Sequence, residues 1–321
     1  MELVCPAGTA SMMRAAVDAG ADSIYCGMAD ETNARNFPGL NFTPEELADA
    51  VRWCRARCVN VLFAANTFAP AGRVYGWQRS VDAAVKAGVH AVIAADIAVL
   101  AHMRDAHPDT RLHLSVQAGA ATPEAIGFYA REYGVKRVVL PRVLNLTEIA
   151  ELMRGLAVET EAFAFGGLCV MAEGRCALSS YVAGRSPNQG GVCSPPDAVE
   201  YRESGGHLAA RLDGLMIDRY AAGEPAGYPT LCKGCFRAEG RDSHLFEDPV
   251  SLNALPLLGS LRACGVTALK LEGRQRGKAY VARITAAFRA ALDGGPPGPE
   301  GLSGLAEGGC ETAGAYKRGW R

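Results

Sequence analysis

Five of the eleven cysteines, Cys169, Cys176, Cys193, Cys232 and Cys235, fall in one stretch rich in Gly, Pro and Ser. The spacing is Cys169-x6-Cys176-x16-Cys193-x38-Cys232, with Cys235 three residues further on. Four thiolates from one irregular segment can enclose a tetrahedral metal ion or an iron–sulfur cluster, and binding then orders a loop that cannot order itself. Zinc sites usually take their ligands as two close Cys-x2–4-Cys pairs. Only Cys232-Lys-Gly-Cys235 has that form, so a cluster fits the spacing better than zinc, with unmetallated thiols as the third reading. Cys54 and Cys58 lie one helical turn apart in an apolar pattern and are expected in the core. Cys5 and Cys26 read as buried strand residues near a strand end, and Cys264 and Cys310 belong to no constellation.

Further polar residues stand where short apolar runs end. Glu272-Gly-Arg274 sets a carboxylate and a guanidinium two residues apart, with Gly273 allowing close approach of backbone to a ligand. A guanidinium fork suits a bound carboxylate, and Glu272 can serve as acid or base or can orient Arg274. The competing reading is an internal ion pair. Arg142 and Arg185 are further candidates for a carboxylate ligand. In Leu112-His-Leu-Ser-Val-Gln117, strand alternation collects His113, Ser115 and Gln117 on one face and the apolar residues on the other. Helices require apolar partners, so the polar face is expected inward. Gln117 and Ser115 would then lie near a mouth, or Ser115 within a hydrogen-bonded polar layer that includes the deeper His113.

These groups need a scaffold, and its elements alternate regularly. Leu3–Cys5, Ser23–Cys26, Val59–Ala64, Ala91–Ala94, Leu112–Val116, Arg137–Leu140, Glu161–Phe165 and Ala268–Leu271 read as strands. Between them run helical patterns at about 9–19, 76–87, 97–106, 122–133, 146–156 and 277–292, and Thr43-Pro-Glu-Glu opens another with a cap, a first-turn Pro and acidic residues. Right-handed crossovers turn such a string into an α/β fold of the (β/α)8 TIM type or a close variant, with reactive groups at the carboxyl ends of the strands. An open doubly wound sheet is disfavoured because no Gly-rich turn follows the first strand. The period breaks only after the seventh strand. Residues 166–250 are therefore expected to be a Cys-rich insertion, ending at a helix that starts near Ser251, within one barrel domain of residues 1–293. Residues 294–321 read as a Gly/Pro-rich tail, its end (316–321) docked or disordered.

Lys+Arg 33 against Asp+Glu 34 gives a net charge of −1, which argues against a nucleic-acid partner held by phosphate neutralisation. Hydrophobic content of 49% with 21% charged residues excludes a disordered chain. No apolar run approaches the roughly 20 residues of a membrane span. The opening Met1-Glu-Leu-Val-Cys-Pro has no basic stretch, so no export signal is expected, and a cytoplasmic chain keeps its thiols reduced.

Pro6-Ala-Gly, His113-Leu-Ser-Val-Gln117, Cys176-Ala-Leu-Ser-Ser-Tyr-Val-Ala-Gly-Arg185-Ser and Leu269-Lys-Leu-Glu-Gly-Arg274 occur in one order over about residues 2–290. Together they resemble the collagenase-like peptidase family of undefined catalytic type. Gly191-Val-Cys193-Ser-Pro and Tyr228-Pro-Thr-Leu-Cys232-Lys-Gly look most like its ubiquinone-biosynthesis branch. That resemblance implies a [4Fe-4S] cluster on Cys169, Cys176, Cys193 and Cys232, and a heterodimer with a UbiV-like paralogue. It also implies oxygen-independent hydroxylation of the aromatic ring of ubiquinone precursors, with the dicarboxylate prephenate as oxygen donor. A prenylated acceptor calls for an apolar channel or a lipid-carrier accessory protein. Other branches carry a second cysteine soon after the position of Cys193, where this chain has Cys193-Ser-Pro-Pro-Asp. The fourth ligand must then come from elsewhere, and Cys235, standing where the branch has Arg, leaves Cys232 and Cys235 both open.

On this reading Arg274, Glu272 and Gln117 are the candidate catalytic residues, and Arg142, Arg185 and Ser115 the candidate substrate binders. Three rivals stand beside it: an RNA base hydroxylase of the same family, a peptidase, and a cluster-bearing scaffold whose partner does the chemistry. Neither His-Glu-x-x-His nor Gly-x-Ser-x-Gly occurs, which weakens the peptidase reading.

Overall fold

A computed structural model describes residues 1–169, 171, 173, 176–187, 192–224, 226–296 and 301–318. Strands β1 (Glu2–Pro6), β2 (Ser23–Cys26), β3 (Asn60–Ala65), β4 (Ala91–Ala94), β5 (Arg111–Leu114), β6 (Arg137–Val139) and β7 (Glu159–Gly167) pair in parallel in chain order. A later strand, Ala268–Leu271 (named β14 below), pairs in parallel with both β1 and β7 and closes the barrel. Helices α1 (Ala10–Asp18), α2 (Pro44–Arg55), α3 (Val74–Ala87), α4 (Ile97–Ala106), α5 (Pro123–Tyr133) and α6 (Leu146–Met153) lie between successive strands. The predicted TIM-type barrel is the fold.

Local chemistry explains the helix ends. Thr43 and Glu46 form a reciprocal capping box at α2, and Pro44 opens its first turn. Such a cap stabilises a helix by about 1 kcal/mol. Leu47, Ala50, Val51 and Cys54 then recur at helical spacing and are buried against the barrel wall. α3 and α5 stop at Gly88 and Gly134, both in the left-handed region that a side chain disfavours. Cys58, expected in the core beside Cys54, is instead exposed, because the chain has left the helix and turned at φ 58°.

After β7 the chain departs from what spacing predicts. The insertion is not irregular throughout: β8 (Val199–Ser204), β9 (His207–Leu212) and β10 (Leu215–Ala221) form an antiparallel sheet, and β11 (Cys235–Ala238) pairs with β12 (Arg241–His244). Leu212, Ile217 and Leu231 form its small core, with the short helix α7 (Leu178–Ala183) packed on it through Leu178 and Val182. Residues near Ser251 are not a helix start. They form β13 (Val250–Asn253), which runs antiparallel to β7, and the helix α8 (Leu258–Ala263) comes later. β14 and α9 (Lys278–Leu292) complete the barrel. The tail is not a loose linker over its described residues. Strand β15 (Cys310–Thr312) pairs with β13, and Tyr316 is buried with its hydroxyl donating to the Phe163 carbonyl at 2.6 Å. Among the described residues no helix is long and apolar enough to cross a membrane.

Inside the barrel a short apolar layer, Val4, Tyr25, Leu62, Ala91, Ile93 and Ala268, is interrupted on one side by charge. Arg137 pairs with Glu2, Glu159 and Glu161, Arg111 pairs with Glu159 at 2.6 Å, and Lys270 pairs with Glu161 at 2.6 Å. His113 points into this layer and accepts a hydrogen bond from Arg111 Nε at 3.0 Å, while Leu112 and Leu114 join the helix-facing core. Burial and the neighbouring Arg137 and Arg111 charges hold its pKa far below the usual imidazole value, so it is a neutral acceptor. Glu161 is fully buried between two cations. Replacing it by leucine strands Lys270 and is expected to cost roughly 3–5 kcal/mol, read as a lower urea midpoint at unchanged slope.

Candidate functional site

Strands β1, β2, β7 and β14 deliver the site to the carboxyl end of the barrel. Tyr25 from β2 donates its hydroxyl to the Leu271 carbonyl at 2.9 Å. Its ring lies beneath two cations, with Lys270 Nζ 3.8 Å and Arg274 Cζ 5.3 Å from the centroid. Arg274 is only 5% exposed, and its Nη1 donates to Asn33 Oδ1 at 2.7 Å. The same oxygen accepts from the Arg35 backbone N–H at 3.1 Å, while Asn33 Nδ2 donates to the Met28 carbonyl at 3.1 Å. Asn33 thus fixes one arginine by its side chain and the other by its backbone. Gly27 makes this possible, since a Cβ there would lie 2.5 Å from Asn33 Nδ2. Gly8, in Pro6-Ala-Gly, likewise lets the β1–α1 turn press against the Arg274 carbonyl, 2.0 Å from where a Cβ would stand.

The loop bearing Asn33 and Arg35 is braced from β3 and α3. Ala34 N–H donates to Asn66 Oδ1 at 3.0 Å, Thr67 Oγ1 donates to the Glu31 carbonyl at 2.6 Å, and the buried Trp77 indole donates to Thr67 Oγ1 at 3.1 Å. Among the described residues neither Arg35 nor Arg274 has a carboxylate partner. Burial pulls the Arg274 pKa down to about 10, and the neighbouring Arg35 charge pulls the same way. Arg274 remains charged at neutral pH. Two guanidiniums close enough to repel, one of them desolvated, form a site for an anion.

Across the mouth Arg142 is already neutralised. It lies over the Phe163 ring at 3.5 Å and pairs with Glu173 at 2.7 Å and Glu272 at 2.6 Å. This corrects two expectations. Arg142 is not free to take a substrate carboxylate, and Glu272 pairs with Arg142 while Asn33 orients Arg274. Glu173 comes from the insertion, so the pair also ties that segment to the barrel. Arg185, the third expected carboxylate binder, is spent on Asp197 in an exposed bidentate pair at 3.0 Å. The β5 strand ends at Leu114, two residues earlier than expected, and a 3-10 turn (Val116–Ala118) carries Gln117. Ser115, 2% exposed, caps that turn by accepting from the Gln117 N–H at 3.3 Å. Gln117 Oε1 is buried with no partner among the described residues, as is Arg142 Nε.

The thiols gather near Arg35 and Arg142. Cys193 lies within electrostatic reach of Cys169 and Cys176, and Cys232 within reach of Cys193 and Cys176. Burial pushes the Cys169 thiol up to about 11 and raises Cys193 and Cys232, while the cations Arg142, Arg35 and Lys233 act in the opposite sense. Cys235 stands apart on β11, where its charged neighbours are Asp218 and Asp242. No three of the four sulfurs come within 4.8 Å of one another. Tetrahedral zinc–thiolate bonds place sulfurs about 3.8 Å apart, closer than any three of these four stand. Four thiols are the donor number of an iron–sulfur cluster, and Cys169, Cys176, Cys193 and Cys232 are the residues that would hold one. Ser194, next to Cys193, has a buried hydroxyl oxygen with no partner among the described residues. Cys5 and Cys26 are buried, with thiols pushed up to about 12, and take no part.

A closed parallel barrel with thiols, an arginine pair and a buried carboxylate at its mouth defines a (β/α)8 protein whose chemistry sits at the strand ends. The chain belongs to peptidase family U32, which matches residues 8–300. It is 28% identical over 299 residues to tRNA hydroxylation protein P1 of Bacillus subtilis (strain 168), covering 93% of this chain and 64% of that protein. It is 30% identical over 343 aligned positions to tRNA hydroxylation protein P of Escherichia coli (strain K12), covering 99% and 74%. The chain therefore spans slightly less than two thirds of the Bacillus relative. Among solved structures it resembles the U32 peptidase Mk0906 at 18% identity and a TM-score of 0.43, over 51% of this chain and 68% of that one.

Three contributors escape a reading of the sequence. Asn33 and Arg35 lie in the loop after β2, and Glu173 in the insertion. The available signal was Asp30-Glu-Thr-Asn-Ala-Arg35, a dense polar run directly after a strand end, where barrel loops carry function.

Proposed function

We propose that this chain is the iron–sulfur subunit of an oxygen-independent hydroxylase, UbiU-like in role, acting on the aromatic ring of a ubiquinone precursor. The oxygen donor in this reading is a dicarboxylate of the prephenate kind, and catalysis is shared with a UbiV-like paralogue. One observation carries the proposal: four thiols and two guanidiniums that have no carboxylate partner among the described residues share a single barrel mouth.

Arg274 and Arg35 bind the donor's carboxylates, and Asn33 holds both arginines so that little is reorganised on binding. Gln117 Oε1 accepts a hydrogen bond from the donor's hydroxyl. Glu272 engages Arg142 through Oε1 and keeps Oε2 to take or return a proton. Tyr25 and Phe163 wall the mouth and keep it dry. Cys169, Cys176, Cys193 and Cys232 would hold the cluster, which would supply Lewis-acid or electron-transfer chemistry. The prenyl tail of the acceptor is handed over by a lipid-carrier protein in this scheme.

The near-zero net charge supports a small-molecule acceptor over RNA. The names of the relatives favour RNA, and one experiment separates the two. Cells lacking the chain, grown without oxygen, are expected to accumulate the unhydroxylated prenylated ring, with their RNA nucleosides unchanged by mass spectrometry. Loss of a hydroxylated nucleoside with normal quinone would overturn the ring assignment.

A further inference from the structure

On the outside of the barrel, away from the mouth groups, α3 and α4 bring together Asp82, His102 and His107. His102 Nε2 and His107 Nε2 approach the same atom, Asp82 Oδ1, at 2.7 Å and 2.6 Å. The two rings stand edge to face with centroids 5.7 Å apart, and all three ligand atoms lie within 4.8 Å of one another. The imidazoles are about one-fifth exposed, while the carboxylate is 46% exposed. One carboxylate oxygen and two imidazole nitrogens, converging from two elements with one side open to water, form the donor set of a three-ligand transition-metal site.

We propose that Asp82, His102 and His107 bind a divalent first-row transition metal, Zn2+ foremost, with water in the remaining position. Metal bonds of about 2.0–2.1 Å in a tetrahedron require donor separations near 3.3 Å, so each ring withdraws by roughly half an ångström. The half-exposed Asp82 permits this by rotating its carboxylate. Each imidazole then offers the Nε2 lone pair to the metal and carries its proton on Nδ1, so charge balances without a redox partner. The two helical ring nitrogens and the carboxylate suit zinc, nickel or copper better than magnesium or calcium, which prefer all-oxygen sets.

The bound ion ties α3 to α4. The inner face of α3 also supports the arginine-bearing loop, since Ser80 Oγ lies 3.3 Å from Thr32 Oγ1 and 3.5 Å from Asp30 Oδ2. The clamp therefore stiffens the wall behind Arg35. It does not depend on what the thiols hold.

The test is a titration of the full-length chain with Zn2+, followed by side-chain 15N resonances of the six histidines. At one equivalent bound to this site, Nε2 of His102 and His107 are expected to shift and the other four to stay in place. Asp82→Asn should weaken binding at least about tenfold, and the His102→Gln/His107→Gln double variant should abolish the shift. Metal-free melting temperatures of the variants control for misfolding. Addition of Zn2+ should raise the wild-type melting temperature and leave that of the double variant unchanged. A parallel Co2+ titration distinguishes this site from the thiols, because imidazole–carboxylate coordination gives weak visible bands without thiolate charge transfer. Unmoved His102 and His107 resonances under saturating Zn2+, or cobalt spectra with thiolate charge transfer alone, would overturn the proposal.

Discussion

Cys176→Ala is expected to purify without iron and to abolish ring hydroxylation, with the barrel intact by circular dichroism. The sulfur of Cys176 lies within electrostatic reach of both Cys193 and Cys232. Its removal leaves three donors around a core that needs four, and among the described residues the insertion's hydrophobic cluster is small, centred on Leu212, Ile217 and Leu231. A segment with so small a core draws much of its order from a bound group. The variant should consequently show faster proteolysis within residues 166–250 and no change in the barrel's unfolding midpoint. Cys235→Ala, by contrast, should keep full iron content, because its surroundings are Asp218 and Asp242. Iron loss from Cys235→Ala with retention by Cys232→Ala would reverse the assignment of the fourth ligand.

Arg274→Ala tests the other half of the site. A buried guanidinium facing a bound carboxylate is worth about 2–5 kcal/mol when one partner is removed, so kcat/KM for the donor should fall by roughly 30- to 5,000-fold. Iron content should be unchanged, since Arg274 is bonded to Asn33 and Tyr25 and not to the insertion. Arg274→Lys keeps the charge and loses the planar fork, and should recover only part of the activity. Asn33→Ala acts through both arginines and is expected to raise KM for the donor more than it lowers kcat. Activity that survives Arg274→Ala, with partner binding lost only when the cluster is lost, would favour a scaffold over a catalytic subunit.

The barrel was legible because its strands are short, apolar and separated by helices, four of the first six opening at Thr or Asn caps and two stopping at Gly88 and Gly134. The inward polar face of β5 followed from the simple demand that helices pack on Leu112 and Leu114. The insertion was misread for a physical reason. Its strands, such as Val199-Glu-Tyr-Arg-Glu-Ser204, are half exposed and lack an apolar face that spacing alone would flag. The turns held the missing signal. Gly205-Gly206, Asp213-Gly214 and Glu239-Gly240 each place two residues at positive φ between paired strands, the geometry of a tight hairpin. The tail was misread because its glycines outnumber its anchors, yet Tyr316 and Leu302 suffice to dock it.

At the site, single residues were easier to find than their pairings. Arg274 and Glu272 were visible as a strand-end motif, but their partners, Asn33 and Arg142, are 241 residues away for the former and on a different strand end for the latter. Only the closed barrel brings β2, β6 and β14 to one rim. Arg35 carried no periodic signal at all, being a loop residue whose role depends on Gly27 leaving room for Asn33.

The central claim is that four sulfurs at the barrel mouth hold an iron–sulfur core, and the most direct measurement is iron and acid-labile sulfide on protein purified without air, with its absorption spectrum. The account predicts a brown protein with about four iron and four sulfide per chain, bleached on exposure to a reductant. A colourless protein carrying one zinc at the insertion, prepared under the same exclusion of oxygen, would contradict it.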